Sequence, residues 1–194
     1  MTVPAIDAVV IGASAGGVDA LLALLAGLPS RWQLPLVAVL HLPEAHESRL
    51  AEVFGARLAI PVRNAEDKAP VLPATLYFAA PGYHLSIERD RHFSLSCEPP
   101  VHWSRPAIDV LMASAADAYG PGLAGLLLTG ANEDGGAGMA RIHRAGGLTA
   151  VQDPSEALVS TMPMAAIRSH RPDHILPLRE LRELLLQLDA AHAP

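Results

Sequence analysis

Asp7-Ala8-Val9-Val10-Ile11, followed by Gly12-Ala13-Ser14-Ala15-Gly16-Gly17, decides the fold. The first five residues are a short, mostly apolar run suited to a strand. The next six form a glycine-rich turn, and Val18 to Leu28 is an Ala/Leu-rich stretch with helical character. Strand, tight turn and helix in that order place Ser14 above the C-terminal edge of a sheet. Gly12, Ser14 and Gly16 fit a G-x-S-x-G pattern, in which small neighbours leave the serine hydroxyl open. The first turn of the helix aims backbone N–H groups at the same space, which suits an anion. Taken alone the turn reads two ways, as a phosphate cradle or as the seat of a nucleophile. It is not G-x-G-x-x-G, because Ser14 stands where a second glycine would admit a pyrophosphate. No G-x-x-x-x-G-K-[ST] loop occurs, and the one lysine, Lys68, is far from any such turn.

Outward from this turn, strand-like and helical stretches alternate. Leu34 to Leu40 is apolar throughout, as a strand covered on both faces is, and it ends at His41-Leu42-Pro43. Glu47 to Arg57 has helical spacing, with Leu50, Val53, Phe54 and Leu58 on one face. Pro61-Val62-Arg63 is a short strand near an edge. Thr75–Ala79, His84–Glu88 and His92–Leu95 read as an antiparallel insertion, with Asp90-Arg91 as a hairpin turn. Pro106 to Tyr119 is helical. Gly122 to Leu128 is a buried strand that runs into a second glycine-rich turn, Thr129 to Gly136. Met139–Ala145 and Met164–Ser169 are helical, Leu148–Val151 and His174–Leu176 are strands, and Leu178–Leu188 is an amphipathic helix. The alternation predicts an α/β fold, a three-layer α/β/α sandwich with a mainly parallel sheet and a small antiparallel insertion.

Composition narrows the function. The 194 residues suit one domain, 1–194, and at 51% hydrophobic with 4% aromatic they supply an aliphatic core. The net charge of −6, with basic residues scattered, argues against nucleic acid. Cys97 is the single cysteine, so no internal disulfide forms and a cytoplasmic setting is expected. The N-terminus lacks a basic signal-peptide region, and no apolar run is long enough to span a membrane.

In a parallel sheet, function gathers at the carboxyl ends of strands. Ser14, His41 and Asn132-Glu133-Asp134 all fall there. Ser, His and Asp are the members of an acyl-transfer triad: the imidazole takes the serine proton, and the carboxylate holds the imidazole. The chain order Ser–His–Asp differs from that of α/β-hydrolases. Each residue also has a plainer reading, His41 as a strand-end cap and Asp134 as the N-cap of the next helix. The histidine spacing offers no metal site. His84 reads as structural, Asp109 as a first-turn helix acid, and His102 and Trp103 as a loop near the site.

With these landmarks in view, the chain resembles the catalytic domain of the CheB-type chemotaxis methylesterases over nearly its whole length. The resemblance rests on Gly12-Ala13-Ser14-Ala15-Gly16-Gly17, His41-Leu42-Pro43, Ala80-Pro81-Gly82-Tyr83-His84-Leu85, Ser104-Arg105-Pro106-Ala107-Ile108-Asp109-Val110-Leu111, Leu127-Leu128-Thr129-Gly130 through Asp134-Gly135, and Gln152-Asp153-Pro154 with Met162-Pro163. It implies a Rossmann-like sandwich with Ser14 as nucleophile, His41 as base and Asp134 as acid. The implied reaction is hydrolysis of glutamate methyl esters on chemoreceptor cytoplasmic helices, with glutamine deamidation as a related activity and no cofactor. Ala15, Gly130, Ala131 and Arg105 are the expected oxyanion and substrate contacts. Ala15 replaces the family's usual Thr, and Ala131 stands where a Met is frequent. No receiver domain is read within 1–194, so the chain reads either as a stand-alone enzyme, with a separate regulatory protein as a candidate partner, or as a fragment. The competing readings are a weak or inactive CheB-like signalling scaffold and a nucleotide- or anion-binding module.

Overall fold

The computed structural model describes residues 4–41 and 49–192. Seven strands form one parallel sheet: β1 Ala8–Ala13, β2 Leu36–Leu40, β3 Val62–Asn64, β4 Leu76–Phe78, β7 Leu123–Leu127, β8 Leu148–Gln152 and β9 His174–Leu176, in the order β3-β4-β2-β1-β7-β8-β9. The remaining two, β5 His84–Ile87 and β6 Phe93–Ser96, pair as an antiparallel hairpin. The predicted insertion therefore shrinks to those two. The Thr75–Ala79 segment instead supplies β4, an inner strand of the parallel sheet, because its buried Leu76, Tyr77 and Phe78 face both layers.

The helices are α1 Gly17–Leu25, α2 Leu50–Gly55, α3 Ile108–Tyr119, α4 Gly136–Arg144, α5 Thr161–Ser169 and α6 Leu178–His192. Side-chain alternation along the strands assigns them to two faces. Val9, Ile11 and Ala13 of β1 meet α1, α2 and α6, whereas Ala8 and Val10 meet α3, α4, α5 and the hairpin. On the α2 face Leu50 and Phe54 are buried, but Val53 is exposed, so the expected apolar stripe is narrower. The anticipated start of this helix at Glu47, and Leu42-Pro43 after His41, lie outside the described residues.

The order of strands places the functional edge. From β1 the chain moves outward through β2, then returns by α3 to β7 on the other flank of β1. The crevice at this reversal, above the carboxyl ends of β1 and β7, is where such sheets bind ligands. Two glycines let α3 and α1 close in on it. A Cβ on Gly12 would lie 2.4 Å from Ile108 Cγ2, and one on Gly17 would lie 2.7 Å from Ala13 Cβ. Gly12 is thus small to admit the start of α3.

Candidate active site

Ser14 follows β1 and His41 follows β2. The last paired residues of these strands are Ala13 and Leu40, and His41 N–H donates to Ala13 O at 3.2 Å. Ser14 and His41 are therefore the next residues on adjacent strands, whose spacing is about 5 Å. Ser14 N–H donates to Thr129 O at 2.9 Å, and Thr129 Oγ1 donates to Ala15 O at 2.9 Å, so the end of β7 clamps the turn. Gln152 Oε1 accepts from Thr129 N–H in turn. The left-handed residue is Gly16, with φ of 76°, and it caps α1. Ser14 itself carries no positive φ, so the turn differs from an elbow strained at its nucleophile.

Asp134 joins His41 from the turn after β7. His41 Nε2 lies 2.8 Å from Asp134 Oδ2, and Asp134 is fully buried. Its carboxylate also accepts Ile108 N–H at 2.7 Å, Asp109 N–H at 2.9 Å and Gly135 N–H at 3.0 Å. The sequence suggested an N-cap for the next helix, α4. Asp134 instead caps α3, which the crossing at Gly12 brings alongside. Asp109, from the first turn of α3, accepts Gly138 N–H of α4 at 2.6 Å. Burial pushes the Asp109 carboxyl above the ordinary carboxylate range; the Gly138 N–H draws it back, while the Asp134 charge adds to the rise.

With Nε2 committed to Asp134, the free nitrogen of His41 is Nδ1. It lies 3.4 Å from Ser104 Oγ, which also lies 3.5 Å from Asn132 Nδ2. Among the described residues the Ser14 hydroxyl has no hydrogen-bond partner, so Ser14 is adjacent to His41 along the strand ends but not bonded to it. Ser104 appeared in the sequence only within a motif. Its position beside Nδ1 depends on the tight turn at Val101–Ser104, which has no periodic signal.

The other expected contacts separate. Gly130 N–H donates to Val159 O at 3.1 Å, which removes it as an oxyanion donor. The amides of Ala15 and Ala131 carry no acceptor among the described residues. Arg105 directs Nη1 to Cys97 O and Glu98 O, each at 3.2 Å, and so ties the exit of the hairpin. His84 is structural as read: buried, it bonds Pro99 O through Nε2 and accepts Ala107 N–H at Nδ1. His102, Asp109 and Asp134 bring potential ligand atoms within 4.8 Å of one another. The two carboxylates there already accept main-chain N–H bonds, which fits helix capping rather than an ion.

The CheB methylesterase family model matches residues 9–185. The chain belongs to the CheB methylesterase family. A Leptospira interrogans relative is 39% identical over 183 residues, covering 94% of this chain and 95% of its own length. A Hahella chejuensis protein-glutamate methylesterase/protein-glutamine glutaminase is 39% identical over 177 residues, covering 89% of this chain and 48% of its own length. The chain thus spans nearly all of the first relative and about half of the second. The crystal structure of the Thermotoga maritima CheB methylesterase catalytic domain superposes with a TM-score of 0.89 at 29% identity, covering 95% of this chain and 99% of that one. This CheB-type fold carries the parallel sheet and hairpin described above. Among the described residues no helix is long and apolar enough to cross a membrane.

Proposed function

We propose that this chain is a protein-glutamate methylesterase acting on the cytoplasmic helices of methyl-accepting chemoreceptors, with Ser14, His41 and Asp134 as its triad. The observation that carries the reading is the 2.8 Å bond between His41 Nε2 and the buried Asp134, one strand from Ser14. Family membership and the names of the relatives support the esterase reading over the scaffold or nucleotide-binding alternatives.

Asp134 accepts Nε2–H and fixes the tautomer whose Nδ1 is a base. Ser14 Oγ attacks the ester carbonyl while His41 Nδ1 takes its proton. The amides of Ala15 and Ala131 receive the negative charge that develops on the carbonyl oxygen. The C–OCH3 bond breaks, and methanol leaves with the proton from His41. Water then attacks the acyl-serine with His41 as base, releasing the glutamate carboxylate and restoring Ser14. A glutamine side chain follows the same route with ammonia as leaving group, which accommodates the glutaminase in the relatives' names. The chemistry calls on no cofactor. We place the enzyme in the cytoplasm as one catalytic domain over 1–194, with a separate regulatory protein as a further partner. Methanol release from methylated receptor tests the reading: Ser14→Ala should reduce it at least ~10³-fold, and full activity in that variant would overturn it.

A further inference from the structure

Val101, His102, Trp103 and Ser104 form a two-residue turn. Val101 N–H donates to Ser104 O at 3.1 Å, and Ser104 N–H donates to Val101 O at 2.9 Å. Both central residues have positive φ, 48° at His102 and 62° at Trp103. Turns of this hand favour Asn-Gly or Gly-Gly, because a β-carbon is crowded in the left-handed region. A bulky residue is held there against backbone strain.

The turn is braced on the catalytic side. His102 Nε2 lies 3.3 Å from Asp109 Oδ2, His102 O accepts from Asn132 Nδ2 at 3.3 Å, and Ser104 Oγ lies beside His41 Nδ1. Between these attachments Trp103 is 98% exposed. The fold thus strains its backbone to present an indole that packs against almost nothing of its own. Strain of this kind collects where a protein meets a ligand, and tryptophan is among the residue types most enriched as binding anchors. A second apolar side chain borders the same site. Leu158 is 77% exposed, and its Cδ2 lies 2.8 Å from where a Cβ on Gly16 would be, over the Ser14 turn.

We infer that Trp103 is the anchor by which the enzyme grips its protein substrate: an apolar residue of the helix that carries the ester seats on the indole. Leu158 supplies a second contact where the turn receives the ester side chain. This rests on the methylesterase reading and adds to it the residue that discriminates a helix-borne ester from a free one. Trp103 touches the substrate polypeptide, not the reacting bond, so its removal separates binding from chemistry.

The test compares wild type with Trp103→Gly on two substrates, methylated receptor and p-nitrophenyl acetate. KM for receptor should rise about tenfold or more, with kcat and small-ester turnover held within about twofold. The melting temperature should not fall, because glycine relieves the turn. Iodide gives a second readout: Trp32 is buried, so quenching reports Trp103, and methylated receptor should shield it in Ser14→Ala protein. Equal losses on both substrates, an unchanged receptor KM, or quenching indifferent to bound receptor would each overturn the inference. A wild-type enzyme that releases no methanol from receptor overturns the substrate reading and this inference together. Normal wild-type release with an unchanged KM in Trp103→Gly overturns this inference alone.

Discussion

Ile108 occupies the space that a side chain on Gly12 would need, its Cγ2 lying 2.4 Å from an ideal Cβ there, with Leu127 Cδ1 at 2.9 Å. The start of α3 is thereby pressed against the end of β1, and its first N–H groups come within reach of Asp134. Gly12→Ala should destabilise the protein by about 1–3 kcal/mol through overpacking and lower turnover by shifting the Asp134 cap. Urea unfolding beside methanol release checks both; unchanged stability would show that α3 yields without cost.

Asp134 holds His41 and the α3 N-terminus with one carboxylate. Asp134→Asn should lower turnover by ~10⁴-fold, because an amide does not stabilise the imidazolium that forms and permits the wrong tautomer. It should also cost about 1–2 kcal/mol of stability through the weakened cap. Turnover and thermal melting measured on one preparation read the two effects. Activity lost without any change in melting would separate the cap from the triad.

Ser104 Oγ stands 3.4 Å from His41 Nδ1, a distance long enough to make the bond weak. Ser104→Ala should therefore leave turnover within about tenfold of wild type, far above Ser14→Ala. A serine-reactive phosphonate should label wild type and Ser104→Ala at one site, and Ser14→Ala not at all. Labelling that disappears with Ser104 would make it the nucleophile.

His170 supplies an acid-sensitive element remote from the triad. Burial pushes its imidazole below the ordinary histidine range, the neighbouring His143 ring adds to this, and the Ala166 backbone and Asp173 oppose it. A base with a depressed folded value binds fewer protons than in the unfolded chain. The associated stability is present above about pH 6.5 and is lost as pH falls through the folded value. His170→Gln should flatten the fall in unfolding free energy as pH drops below about 6.5. An identical slope in both proteins would assign the acid loss to other groups.

The sheet was legible where hydrophobic runs and glycine turns coincide. Ile11-Gly12, Val39-Leu40 and Leu127-Leu128 each end at a residue or turn of the site, so strand ends gave Ser14, His41 and the Asp134 turn together. What escaped the sequence depends on contacts far apart along the chain. The Leu76–Phe78 strand reads like its antiparallel neighbours until β2 and β3 flank it. Gly130 looks like an open amide until Val159 O meets it. Asp134 looks like the cap of α4 until α3 arrives, and Ser104 reaches His41 through a turn whose residues are poor formers of it.

The sharing of Asp134 between helix and histidine has an evolutionary corollary. A descendant that abandoned hydrolysis would still be under pressure to keep this aspartate, because its scaffold would loosen without it. Silent copies of this domain should therefore be sought by erosion at Ser14 and His41, while retention of the acid alone is no sign of a working esterase.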